Sequence, residues 1–299
     1  MSKWKIAFWT PGNRPVEDGM TFGCASYGFS TESEWKSPEE KEHIIWDNEL
    51  EGIVLSGKYA EVLDELKRKS YIPKGIIALF TGNSGIEEFI SSCKVMMGSV
   101  PLIGGGAAIG SNQSQGETLP IAEDVALLLV LEGAFKVETK NIHINTSEIF
   151  EIEAKTPRII GKIKTDDVNS TEQVADFYKK LQYLNGVHKD DFESIAFRDT
   201  KGCNIHCSIK GELLGSGANL PENNILILGK TNKVDATDSI STFISAENSI
   251  VFGCAGLRGL VERSLKTGKG TIAGFLFGEV VTIDNQSMFG NLMMTRLTI

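Results

Sequence analysis

Four polar side chains close to the C-terminus stand at the ends of otherwise apolar segments: Cys254, Arg258, Glu279 and Asn291. Cys254 follows the apolar run Ser249-Ile250-Val251-Phe252, which breaks at Gly253-Cys254-Ala255-Gly256 and leads to Arg258. Glu279 follows Gly274-Phe275-Leu276-Phe277-Gly278. A guanidinium clamps a carboxylate through two parallel hydrogen bonds, and a carboxylate takes an ammonium group. Arg258 and Glu279 together therefore suit an α-amino acid. Asn291 offers neutral hydrogen bonds. Cys254 lines the pocket or acts as a nucleophile, since a helix opening after it would place backbone N–H groups beside the thiol. Gly104, Gly105 and Gly106 form a second small-residue segment, where a ligand or a neighbouring backbone can approach closely. This segment lacks the Lys-Ser/Thr pair of a P-loop and the spacing of a dinucleotide fingerprint. The set reads as ligand-binding, with no residue assigned a catalytic role.

The other chemically suggestive residues read as structural. Cys203-Asn204-Ile205-His206-Cys207 has metal-like spacing, but on a strand Cys203 and Cys207 face away from His206, and no second Cys/His pair completes four ligands. Cys24, in Phe22-Gly23-Cys24-Ala25, repeats the Gly-Cys-Ala pattern and reads as packing. His43, His143, His188 and His206 have no nucleophile beside them in a strand-turn-helix elbow, and His143 is the one that would serve as a haem ligand. Neither a metal nor a cofactor is expected.

Alternating strand and helix signals must position these groups. Strands are expected at Lys5–Trp9, Gly75–Phe80, Val100–Ile103, Val125–Leu131, Lys136–Ile144 and Arg158–Ile163. Helices are expected over Leu50–Lys69, after a Ser84–Glu87 capping box, and after Ser170–Gln173 with Gly186 as the stop. Beyond Gly186 the pattern is strand-rich, with helices at Val234–Ile244 and Leu257–Lys266. Connections are too short for uniform βαβ crossovers. The reading is an α+β fold of mixed or antiparallel sheets covered by helices, in two similar-sized halves, residues 1–165 and 166–299, divided at the polar break Thr165–Ser170. The ligand is expected between the halves. The echo between Gly104-Gly105-Gly106 and Gly253-Cys254-Ala255-Gly256 leaves a distant duplication open.

The 299 residues allow one large or two modest domains. Apolar content of 41% and charged content of 23% are ordinary for a globular chain. A net charge of −9, without a basic patch, argues against nucleic acid and anionic membranes as partners. No apolar run reaches the roughly 18–20 residues of a membrane span, and Pro11-Gly12 interrupts the N-terminus too soon for a signal-peptide core. Five cysteines at irregular spacing fit reduced thiols. A cytoplasmic location is expected.

The order FGCAG, Arg258, GFLFGEV and Asn291 before a final apolar strand resembles the C-terminal half of the FIST family of sensory domains. PLIGGGAAIG is similar to the small-residue segment of the FIST N-terminal half, and RDTKGCNIHCSIKGELLGSGANLPENNILIL to its middle portion. The resemblance covers roughly residue 70 to the end. Gly253 stands where the family has a small hydroxyl, Arg258 lies one residue further from Cys254, and Met293 replaces a threonine. The resemblance implies signal transduction through binding of a small polar metabolite, an amino acid or similar; haem in some members; and output through a separate signalling effector protein. Its alternatives are a cysteine-dependent hydrolase or transferase using Cys254, and a haem-based gas sensor.

Overall fold

Two continuous apolar runs, Gly75–Phe80 and Val125–Leu131, become neighbouring antiparallel strands inside a large mixed sheet. Every residue of the first is buried, as expected for a strand covered on both faces. These elements come from a computed structural model that describes residues 2–10, 13, 21–37, 39–40, 42–68, 73–81, 85–107, 125–164, 173–187, 193–260 and 266–299. The content is mixed α/β, but strand at 53% outweighs helix at 20% by more than helix-covered sheets imply. The chain forms two compact units. One comprises residues 1–140, 241–289 and 293–299; the other comprises 141–240 and 290–292. The polar break at Thr165–Ser170 lies outside the described residues.

Among the described residues, the first unit holds a thirteen-stranded sheet. Its main path runs Thr21–Ala25, Ser2–Trp9, His43–Lys58, Val125–Leu131, Gly75–Phe80, Leu102–Gly106, Ile272–Ile283, Ser249–Cys254, Met293–Thr298 and Lys136–Asn141. Two parallel pairs lie at its centre. Gly75–Phe80 crosses through the helix Ile86–Met97 to Leu102–Gly106. Ser249–Cys254 crosses, through a 3₁₀ turn at Ala255–Leu260, to Ile272–Ile283. The pairs meet antiparallel where Leu102–Gly106 lies against Ile272–Ile283. A later strand flanks each pair antiparallel on its outer side, Val125–Leu131 for one and Met293–Thr298 for the other. The arrangement has an approximate two-fold relation that equates Phe80 with Cys254. The sequence echo instead matched Cys254 with Gly104–Gly106, which end the other strand of a pair.

The core of this unit gathers Phe8, Phe22, Ile77, Leu79, Ile103, Leu127, Leu129, Phe252 and Leu276, all at most 1% exposed. Burying each such side chain contributes roughly 1.5–3 kcal/mol. Phe8 and Phe252 meet edge-on at 5.6 Å between ring centroids. The helix expected from Leu50 starts only at Tyr59, because His43–Lys58 is one long strand. Its Gly52–Lys58 stretch is zipped to Val125–Leu131, and a strand partner overrides local helix preference. The helix opens where the Glu61 carboxylate accepts the Lys58 N–H at 3.0 Å. Ser84 and Ser170, the expected caps, lie outside the described residues.

Among the described residues, the second unit holds a seven-stranded antiparallel sheet in the order Asn204–Ile205, Glu193–Arg198, Ile225–Asn232, Ile144–Thr156, Ile159–Lys164, Leu213–Ser216, Cys207–Lys210. The helix Val174–Leu184 buries Val174, Tyr178 and Leu181 in a core with Ile195, Phe197, Leu226 and Leu228. Gly186, at φ 74°, follows this helix in the left-handed conformation that a helix stop needs. Among the described residues no helix is long and apolar enough to cross a membrane.

The strand Leu102–Gly106 includes the glycines that the sequence pattern placed in a turn after it. Gly104 has φ +131°, and a Cβ there would fall 2.0 Å from the Ala78 carbonyl oxygen of the neighbouring strand. Gly104→Ala should therefore lower stability by roughly 3 kcal/mol or more, combining backbone strain with a backbone clash. Gly133→Ala, where a Cβ would meet nothing within 4 Å, should change it by less than about 0.5 kcal/mol. Urea unfolding of the two variants checks the contrast.

Candidate functional site

Glu279 is a carboxyl group in the middle of a sheet. It lies on Ile272–Ile283 where that strand pairs with Leu102–Gly106, and its exposure is 0%. Gly278 just before it sits at φ +69°, and the pairing with Leu102–Gly106 shifts there: Phe277 opposes Gly106, while Glu279 opposes Gly105. Gly278 is the extra residue of a bulge, and an extra residue breaks the alternation of faces. Phe277 before it is 46% exposed; Glu279 after it is sealed. Only glycine fits, since a Cβ at 278 would sit 2.3 Å from the Phe289 ring.

Among the described residues, two groups contact the carboxyl. The Cys254 thiol hydrogen-bonds to it, and the Met293 N–H donates to Oε2 at 3.3 Å. Oε1 is buried with no hydrogen-bond partner among the described residues. Burial pushes the Glu279 pKa well above the usual carboxylate range, and the thiol and the N–H offset this only in part. Cys254 is itself 7% exposed, and its sulfur accepts the Gly256 N–H at 3.4 Å. The residue stands where its strand passes into the 3₁₀ turn, so the turn's own backbone supplies that donor.

The two parallel strand pairs end at this point. Cys254 closes Ser249–Cys254 opposite Leu276, and Gly106 closes Leu102–Gly106 opposite Phe277. Strand ends at such a reversal of order are where open α/β sheets bind ligands. Close approach across the centre requires the glycines: a Cβ at Gly105 would lie 2.3 Å from the Gly278 carbonyl oxygen, and one at Gly106 2.5 Å from that of Phe277. Beside Gly106, the exposed Phe277 ring stacks at a tilt against Tyr27, 6.4 Å between centroids.

The structure thus brings Cys254, Glu279 and Gly104–Gly106 together. Arg258 lies in the 3₁₀ turn Ala255–Leu260, and its side chain is outside the described residues. Asn291 belongs to the second unit. Its N–H donates to the Asn204 carbonyl at 3.1 Å, its Oδ1 accepts the His206 N–H at 3.4 Å, and it packs against Gly217. Asn291 therefore ties a strand end in its own unit. Sequence reasoning found the lone carboxylate in an apolar strand. It missed the Met293 and Gly256 donors, because any residue but proline supplies a backbone N–H.

Around Asn204 lies a second buried polar network. Asn141 and Asn204 exchange side-chain amide bonds at 2.7 and 2.8 Å. The Asn204 amide nitrogen also approaches His143 Nδ1 at 3.2 Å and the Leu292 carbonyl at 3.5 Å. An amide nitrogen donates, so Nδ1 accepts and His143 is neutral. Leu292 sits at φ +54°, an uncommon conformation for a bulky residue. Burial, with repulsion from His206 and Arg198, lowers the His143 pKa to about 4. All five cysteines are buried, and no described cluster of three or more His, Cys, Asp or Glu side chains could hold a metal.

These two groups give stability opposite pH dependences. His143 titrates lower in the folded state, so its contribution is complete above about pH 6.5 and is lost as pH falls toward about 4, a change of roughly 3 kcal/mol. Glu279 titrates higher in the folded state. Its penalty is absent below about pH 4.3, where the unfolded chain also holds the proton, and grows as pH rises. Urea unfolding across pH 4–9 should show Glu279→Gln removing the alkaline loss and His143→Gln removing the acid loss. An unchanged alkaline limb in Glu279→Gln would refute the assignment.

Comparison of the sequence with protein-family models and with curated proteins finds no match to either.

Proposed function

We propose that this chain is a small-ligand-binding sensory protein of signal transduction, of the FIST type, taking an amino acid or similar polar metabolite at the Cys254–Glu279 site. The observation that carries the reading is the Glu279 Oε1, wholly buried and without a partner among the described residues. An unsatisfied buried polar atom costs about 1–3 kcal/mol, and a ligand ammonium or hydroxyl would satisfy it. The convergent strand ends support the same location. The site's own chemistry supplies recognition and no turnover. Output then passes to a separate effector protein in the cytoplasm.

Thermal unfolding against a panel of the twenty amino acids should reveal a stabilising ligand. Arg258→Ala should weaken a carboxylate ligand by about 2–3 kcal/mol, roughly 30- to 150-fold. A panel without a single shift, or an unaltered affinity in Arg258→Ala, would refute respectively the ligand class and the arginine's role. One further observation favours a second reading. The Gly256 N–H on the Cys254 sulfur, with a carboxyl as hydrogen-bond partner, is also the setting of a thiol nucleophile. Under that reading Cys254 is alkylated well ahead of Cys24, Cys93, Cys203 and Cys207; uniformly slow alkylation removes it.

A further inference from the structure

Among the described residues, the surroundings of Glu279 contain hydrogen-bond donors but no balancing charge. Oε2 has a backbone N–H and the carboxyl has a thiol. Among the described side chains, Cys254 is the only titratable group in its environment, and no lysine, arginine or histidine contributes. Gly105 pairs with Glu279 on one side and the Met293 N–H reaches its carboxyl; the Arg258 side chain, on the 3₁₀ turn after Cys254, lies outside the described residues. An ionised carboxylate here would be a charge out of contact with water and, among the described residues, without a cationic partner, which costs several kcal/mol. With these neighbours the ligand-free site is electrically complete only while the carboxyl keeps its proton.

We infer that a cationic ligand binds this site in exchange for the Glu279 proton, so that binding releases one proton and selects an ammonium group over a neutral isostere. This rests on the reading that the ligand docks at Glu279. The balance is simple: a neutral carboxylic acid and an ammonium cation enter, a carboxylate–ammonium pair stays in the protein, and one proton passes to solvent. The net charge of the buried site is zero before and after. Linkage then makes the apparent affinity rise tenfold for each pH unit while the free site remains protonated. The sensor reads the ligand and the pH together.

The test has two arms on the full chain. In the first, infrared spectra of the ligand-free protein are recorded from pH 6 to 8. A protonated-carboxyl C=O band at pH 7 that disappears in Glu279→Gln is expected, and its absence overturns the exchange. Should Glu279→Gln not fold, Cys254→Ala serves instead, since losing the thiol hydrogen bond must shift the band. In the second arm, methylammonium chloride is titrated calorimetrically at pH 6, 7 and 8, in buffers of differing ionisation heat. Expected are a tenfold gain in affinity per pH unit, release of one proton, and loss of the band. Binding that is independent of pH, or that leaves the band intact, overturns the exchange while leaving a ligand site at Glu279 standing. A band present at pH 7 without binding of methylammonium or of any amino acid overturns both the exchange and the ligand reading.

Discussion

A carboxyl group sealed inside a sheet imposes demands that the surrounding chain has to meet. Glu279 keeps no contact with water and, among the described residues, one of its oxygens has no partner and a thiol is the titratable group that bonds to it. The penalty for charging such a group is set by the medium around it, and that medium is the packed core of the first unit. Ile103, Phe252 and Leu276 belong to one cluster of buried side chains with the strands that flank Glu279.

Its placement depends on backbone more than on side chains. The bulge at Gly278 turns Glu279 inward, and the glycines of Leu102–Gly106 let that strand close against the bulge. Met293 contributes through its N–H, so the methionine that stands where the resembled family carries threonine leaves this contact intact. Cys254 reaches the carboxyl because its strand ends there and turns into a 3₁₀ segment. Every one of these contacts comes from a different stretch of chain, and the sheet order brings them to one level. Two parallel pairs meeting head to head put their carboxyl ends beside each other at the centre of the sheet.

The second unit handles buried polarity in the opposite manner. Its Asn141–Asn204 pair is reciprocal, and His143 Nδ1 is held as an acceptor. Networks satisfied in this way fix one arrangement of a core. Asn291 joins this network through the Asn204 backbone, which gives it a structural task regardless of any ligand. The two environments differ in what they leave open: one closes its hydrogen bonds internally, and the other leaves a carboxyl oxygen unused.

The sequence alone determined which segments would be strands buried on both faces, because Gly75–Phe80, Val125–Leu131 and Ser249–Cys254 are continuous apolar runs that no amphipathic element could use. It also singled out Glu279 and Cys254, since a lone carboxylate or thiol at the end of such a run is conspicuous. Local pattern erred at Leu50–Lys58, where pairing with Val125–Leu131 outweighed helix periodicity. Tertiary structure alone decided that residues 1–140 and 241–299 (less 290–292) build one unit and the residues between them in sequence another, because compactness depends on which strands pair across hundreds of residues. It alone joined the Cys254 thiol to Glu279 and denied Oε1 a partner. Hydrogen bonds between residues distant in sequence follow from sheet order and register, and composition or periodicity carries no information about either.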